Sequence, residues 1–345
     1  MKIILQGVIA LYLLTGSIKL SAQSADSTKS FRIMFYNVEN LFDPFHDTLK
    51  HDEEFTPRGM RAWTWKKFEK KLHSTAKVII SAGGWRPPEI VAFCEVENRF
   101  CLTQLLKRTP LERFGYRIIH EESPDARGID VAAIYRSDRF KELYHEAIPV
   151  FYEGETVSTT RYILYIKGLV SPTDTLHFFV NHWPSKYGGA TATIPRRRDA
   201  ALTLRAKIDS IGTIQPEARI VITGDFNDTP LDESVYVHLN AKANQDSTGF
   251  YLCNLMIPFL GKWDRGTHKF REEWSVLDQF IVSSPLLRSK DGLRLSAKGA
   301  EILRLPFLLE DDLVHNGTRP FRTYNGMVYQ GGFSDHLPIM LNLEY

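Results

Sequence analysis

The sequence predicts an α/β protein in which two packed β-sheets are flanked by helices. Three observations predict it. Strand-like and helix-like runs alternate in both halves of the chain, a β-rich meander separates those halves, and acidic, amide and imidazole side chains recur where apolar strands end. With 345 residues, 43% hydrophobic and 24% charged, the chain is long enough for a sizeable core and has an ordinary globular composition.

Taken in order, Met1-Lys2, the apolar run Ile3 to Leu14 and the small residues Ser21 and Ala22 read as a secretory leader cut near Ala22 or Gln23. The expected organisation is a leader over 1–23, a short polar lead-in over 24–30 and one domain over 31–345, with a periplasmic or secreted location. The leader's apolar run is shorter than a membrane span, and no later segment is long and apolar enough to make one. Losing the leader removes Lys2 and Lys19 and no acid, so the formal charge falls from +2 to 0. A neutral protein has no global field to draw in polyanions, so any grip on phosphate is local.

Phe31 to Val38 is the first strand. Trp65, Phe68, Leu72, Ala76 and Ile79 recur at near-helical spacing and predict a helix over Trp63 to Ile80, ended by Gly83-Gly84. Ile90 to Cys94 is a short buried strand, and Asn98 to Arg108 a helix stopped by Pro110. The meander comprises Tyr116 to His120, Ile129 to Tyr135, Ala147 to Tyr152, Arg161 to Val170 and Thr175 to Asn181. Pro195 is placed as the first residue of a helix running to about Ile211. Arg219 to Thr223, Ser275 to Val282 and Leu337 to Leu343 complete the strands. Asp47 to Pro57 and Gln245 to Glu272 are the least regular stretches and are expected to be functional loops. Cys94, Cys101 and Cys253 are too few and scattered for a disulfide framework or zinc site; the first two read as buried, and a bridge between them is left open.

Five strings carry chemistry. In Gly224-Asp225-Phe226-Asn227-Asp228, an extended chain points Asp225 and Asn227 to one side, a carboxylate for water or metal and an amide for a phosphate oxygen. In Ser334-Asp335-His336, adjacent side chains face opposite ways, which suits Asp335 to a metal or water and His336 to proton transfer. Asp278, an acid in an apolar strand, is the candidate to orient that imidazole. Asn37 and Glu95 end strands and, with other carboxylates, describe a Mg²⁺ site that Mn²⁺ would also accept. Glu39 and Glu97 read as supporting or solvated groups. Asn181-His182 ends a strand of bulky residues, and Arg196-Arg197-Arg198 follows, with guanidinium geometry suited to phosphate. Competing readings are an Asx turn at Asp225, a structural His182 and a solvated helix end for two of the three arginines.

Taken together these strings resemble the endonuclease/exonuclease/phosphatase superfamily, whose fold is that of pancreatic deoxyribonuclease. Asn37, Glu95, His182, Asp225 with Asn227, Asp278 and Ser334-Asp335-His336 follow the family's order over 31–345. Asn37-Val-Glu-Asn-Leu-Phe-Asp43, Asn181-His-Trp-Pro-Ser185 and Gly266-Thr-His-Lys-Phe with Trp274-Ser-Val-Leu-Asp278 look like a secreted bacterial subgroup. The resemblance implies a four-layer α/β sandwich and metal-assisted phosphate-ester hydrolysis. It implies that Glu95 binds the cation with Asn37 and Asp335 near it, and that Asp225 orients or deprotonates water. Asn227 would hold the phosphate, His336 would stabilise charge or act as acid/base with Asp278 behind it, and His182 would stand beside the leaving group. Asn181 and Arg197 are placed with the substrate. The expected enzyme is a monomeric Mg²⁺-dependent (Mn²⁺ possible) phosphodiesterase, of nucleic acid, a small phosphodiester or a lipid headgroup. A phosphomonoesterase or lipid/inositol phosphatase on the same scaffold is the alternative, and a non-catalytic binding module the third. Trp63, Trp65, Trp183 and Trp263 are candidates for stacking on bases or sugars, with Trp65 and Trp183 favoured as core or rim residues.

Overall fold

A computed structural model describes residues 30–84, 86–244 and 248–345; the expected leader and nearly all of the lead-in lie outside the described residues. Two large sheets organise the chain. The first has six strands, in the order Arg294–Ile302, Ile339–Glu344, Ser30–Leu41, Ile90–Val96, Asp130–Arg136 and Tyr116–His120. The second has seven: Lys141–Ile148, Ile163–Leu169, Thr175–His182, Arg219–Asp225, Asp278–Ser283, Leu252–Asn254 and Ala241–Lys242.

Each sheet has a parallel pair near its middle among antiparallel neighbours, and the second also ends in a short parallel pair of Leu252–Asn254 with Ala241–Lys242. Ser30–Leu41 runs parallel to Ile90–Val96, and Thr175–His182 parallel to Arg219–Asp225. A parallel pair needs a crossover, and a helix supplies each of these two: Trp65–Gly83 in the first half, Ala190–Ile214 in the second. The C-terminal ends of both pairs therefore open onto loops, where ligands bind in α/β sheets.

Side-chain alternation sets the layers. Ile33 and Phe35 join Ile90, Cys94, Phe178, Val180, Val221 and Phe280 in the core between the sheets. Met34 and Tyr36 face the other way, against Phe68, Leu72 and Leu102 of the first-half helices. Phe179, Ile220 and Ile222 pack against Leu204 and Ile208. The result is the four-layer α/β sandwich that the resemblance implied. No described helix is long and apolar enough to cross a membrane.

Several boundaries differ from expectation. The second crossover helix begins at Ala190, with Pro195 inside it. Its buried stripe of Thr193, Arg197, Ala200, Leu204 and Ile208 starts before the proline, and tertiary packing carries the helix back over it. The strand expected at Ala147 to Tyr152 runs instead over Lys141–Ile148, an edge strand whose mostly solvated residues give little apolar signal. The strand expected from Ser275 starts at Asp278, because Glu273–Ser275 pairs with His268–Phe270 in a separate hairpin. Within the expected loop after Gln245, Leu252–Asn254 joins the second sheet. Cys94, Cys101 and Cys253 are buried and free.

Candidate active site

Strand ends from both sheets meet at one point. Asn37 lies at the end of the parallel register in the first strand. Its Nδ2 donates to Glu95 Oε1 at 3.3 Å and across the sheet interface to Asp225 Oδ2 at 3.1 Å. Its Oδ1 accepts from the Glu39 backbone N–H at 3.0 Å. Asn37 therefore bridges two carboxylates through its Nδ2, while its Oδ1 accepts one backbone N–H.

Asp225 sits between two imidazoles. Its Oδ2 is 3.8 Å from His182 Nε2 and 3.8 Å from His336 Nε2. Its Oδ1 accepts from the Asn227 N–H at 2.9 Å, so the chain turns at once and Asn227 takes φ 51°. Asp225 and Asn227 are thus joined by an Asx turn rather than projecting together from an extended strand. Asn227 Nδ2 donates to the Trp183 carbonyl at 2.9 Å. Gly224 is required here: a Cβ would come within 2.3 Å of the Asn181 carbonyl oxygen. Glu39, Asn40, Glu95 and Asn227 all take left-handed backbone angles, a concentration of strain typical of functional sites.

His336 Nδ1 is 2.7 Å from Asp278 Oδ2, the orienting pair expected from sequence. Thr267 Oγ1 accepts from the Asp278 N–H and fixes the start of that strand. Ser334 donates to the Asn37 carbonyl and accepts from the His336 N–H, tying the segment to the first strand. His182 Nε2 also approaches Glu95 Oε1, at 3.9 Å.

A third group of acids lies alongside. The Glu95 carboxylate takes the Asn40 N–H at 2.9 Å, and Glu39 takes the Thr323 N–H at 2.6 Å. Arg322 pairs with Asp335 and reaches Glu39 at 3.5 Å. Buried Lys71 donates to Thr323 Oγ1 and the Phe333 carbonyl, and feels the charges of Glu39, Asp335 and Glu95. A cleft of about 220 Å³ opens over Glu39, Asp335, Arg322, Arg61 and Tyr324.

Protonation states diverge across the site. Burial raises Asp225 to about 7; His336 opposes it, and Asp278 and Glu95 reinforce it. Burial disfavours the charged His336, yet Asp278 and Asp225 outweigh it and hold the ring well above the usual imidazole range. Burial, then Arg161 and Arg127, push His182 well below that range. Burial alone would raise Asp335, but His336, Arg322, His268 and Lys71 bring it down to about 2. One imidazole is thus charged and the other neutral on either side of one carboxylate.

Two substrate-binding expectations are corrected. Arg197 is 1% exposed; its Nε is 2.7 Å from Asp228 Oδ2, and its other nitrogens bond Thr193, Ala190 and Pro184. It is a core ion pair and does not reach the cleft. Asn181 is fully buried, donating to the Thr223 carbonyl and accepting from Trp183 Nε1, so it holds two strands together. Trp63 and Trp183 are core residues, whereas Trp263 is exposed. Sequence reasoning missed Arg322, Lys71 and Arg161. Arg161 donates to the His182 and Trp183 carbonyls while paired with Asp125 at 2.8 Å. Neither Arg161 nor Lys71 lies in a motif-like string. His268, whose ring lies 4.8 Å from that of His336, stood inside a quoted phrase but received no role.

With this geometry in view, comparison with known proteins decides the family. The model of the endonuclease/exonuclease/phosphatase family matches residues 32–345. The chain belongs to that family. A mannosyl-6-phosphatase of Bacteroides thetaiotaomicron superposes with TM-score 0.57 at 17% identity, covering 91% of this chain and 100% of that one. A truncated TDP2 of Caenorhabditis elegans gives 0.54 at 15% identity, covering 92% and 98%. The human nocturnin catalytic domain gives 0.53 at 16%, covering 91% and 94%. At these identities the likeness speaks for the fold. No curated protein matches the chain.

Proposed function

We propose that this family member is a divalent-metal-dependent phosphoesterase that hydrolyses phosphodiesters by water attack. The observation that carries the reading is Asp225 held between neutral His182 and charged His336, with Glu95 joined to it through Asn37. The donor set fits a hard cation. Glu39, Asp335 and Glu95 all act on buried Lys71, and Arg322 pairs with the first two, so the chain's own cations balance their negative charge. Glu95 and Asp335, with Glu39, would hold Mg²⁺ or Mn²⁺. Such an ion, when bound, polarises the phosphoryl group and offsets charge on the leaving oxygen.

The remaining steps belong to the chain's own side chains. Asp225, at about 7 before any ion enters, is matched to taking a proton from water at neutral pH. His336, kept charged by Asp278, stabilises negative charge as it grows on the phosphoryl oxygens. Asn37 keeps the Asp225 and Glu95 carboxylates in register. Asn227 spends one N–H on Trp183 and offers the other to phosphate. His182, neutral and buried, is placed to serve the leaving-group side.

Turnover of bis-p-nitrophenyl phosphate with Mg²⁺, with Mn²⁺ and with EDTA tests the reading. Loss in EDTA and recovery on adding metal supports it; metal-independent turnover refutes it. A panel of DNA, sugar phosphates and phospholipids separates the diesterase from the phosphomonoesterase, which the likeness to a mannosyl-6-phosphatase keeps in view. We further propose export by the leader over 1–23 and action as a monomer, read by N-terminal sequencing of the mature protein and by light scattering.

A further inference from the structure

The strands Tyr116–His120 and Asp130–Arg136 are joined by the loop 121–129. At the two ends of this loop, His120 Nε2 and Asp130 Oδ2 lie 3.4 Å apart, each side chain 2% exposed. Neither atom has a hydrogen-bond partner among the described residues. The two face each other as a close pair without hydrogen-bond geometry, in a buried spot. Asp130 Oδ1 is already committed to the Ser123 N–H at 3.0 Å, which aims Oδ2 at the imidazole. Glu122 joins them: its Oε1 is 3.9 Å from His120 Nδ1, and ligand atoms of the three residues lie within 4.8 Å of one another. Lys50, the nearby cation, spends its ammonium on the Ser123 and Asp125 carbonyls.

We propose that His120, Glu122 and Asp130 form a second metal site, apart from the catalytic cleft, that takes Zn²⁺. One imidazole and two carboxylates are donors that zinc accepts. Two ligand atoms at about 2.1 Å from a tetrahedral ion stand about 3.4 Å apart, the spacing of His120 Nε2 and Asp130 Oδ2. Glu122, 59% exposed and already in contact with Asp130, supplies the third ligand by exchanging that contact for the ion, with water as the fourth. The ion ties both ends of the loop 121–129 together. That loop carries Asp125, the partner of Arg161, which in turn holds the His182 and Trp183 carbonyls.

The test is zinc stoichiometry of the mature protein after dialysis against Zn²⁺ and washing, with Glu95→Gln/Asp225→Asn/Asp335→Asn as the parent so that the cleft is disarmed. The parent is expected to retain one zinc per chain. Adding His120→Gln or Glu122→Gln should lower its affinity at least tenfold. Trypsin cleavage after exposed Arg127 should slow with zinc in the parent and not in those variants. Because Glu122 is exposed, its variant decides the matter even if the His120 variant fails to fold. No zinc in the parent, or equal zinc in parent and Glu122→Gln, overturns the proposal. The readout does not involve hydrolysis, so it stands or falls separately from the proposed activity.

Discussion

Replacing Arg197 by methionine separates a core role from a substrate role. The guanidinium is 1% exposed and 2.7 Å from Asp228. Removing one partner of a buried pair costs about 3–5 kcal/mol, because the other charge is left uncompensated. Two features favour the lower end. Lys186 Nζ lies 3.2 Å from Asp228 Oδ1, and Ser234 Oγ donates to Oδ2 at 2.6 Å. A loss of about 3 kcal/mol, set against an unfolding entropy of about 2.1 cal/mol/K per residue over a domain this long, predicts a melting temperature about 4–5 °C lower. Turnover well below that temperature should stay within about threefold, since no atom of Arg197 faces the cleft. The assay pairs thermal melts with initial rates for Arg197→Met, Asp228→Asn and the double variant. The double variant should melt above Arg197→Met, because it no longer buries a lone carboxylate. An unchanged melt with a hundredfold slower turnover would mean that Arg197 holds substrate after all.

Asp278→Asn keeps the shape of the His336 contact and removes its charge, so turnover should fall about 10²–10⁴-fold with Mn²⁺ affinity within about threefold; an unchanged rate removes Asp278 from the mechanism. Arg322→Ala leaves Glu39 and Asp335 without their nearest counter-charge, and should tighten Mn²⁺ binding about tenfold by calorimetry, with equal affinity refuting the neutralising role. Burial lowers His177 to about 4, against about 6.5 in an unfolded chain. The unfolded state then binds the proton first, so stability present above about pH 6.5 is lost as pH falls toward 4. Discounted for partial solvation, that loss is about 1–2 kcal/mol, and His177→Gln should abolish it in urea titrations at pH 4.5 and 7.

The parts of this molecule that sequence made legible are those in which one local rule decides. Phe31 to Val38 and Arg219 to Thr223 are apolar runs on buried strands, and the spacing of Phe68, Leu72, Ala76 and Ile79 marks a helix face directly. Lys141–Ile148 and Arg294–Ile302 went unread because edge strands face water and carry polar side chains. The meeting of Asp278 with His336 was legible because a lone acid in an apolar strand demands a partner. Arg197 misled because it sits in a run of three arginines of which Arg196 is exposed, and only the helical turn from Thr193 shows that it points inward. Arg322 and Lys71 carry no local signature: their importance comes from carboxylates that are distant in sequence.

That dependence on distance explains the electrostatics of the site. Asn37 and Glu95 come from the first sheet, and His182, Asp225 and Asp278 from the second. The Asn37 to Asp225 hydrogen bond crosses between them, so the relative position of the sheets is written directly into the separation of the carboxylates. The two histidines differ for the same reason. His182 lies at the end of a strand in the second sheet, where Arg161 and Arg127 oppose its protonation. His336 precedes the last strand of the first sheet, yet it meets Asp278 of the second, which favours its protonation. A fold that packs one parallel strand pair against another thus holds two identical side chains in opposite charge states around one acid. The proposed mechanism, with proton transfer on one side and charge stabilisation on the other, requires that difference.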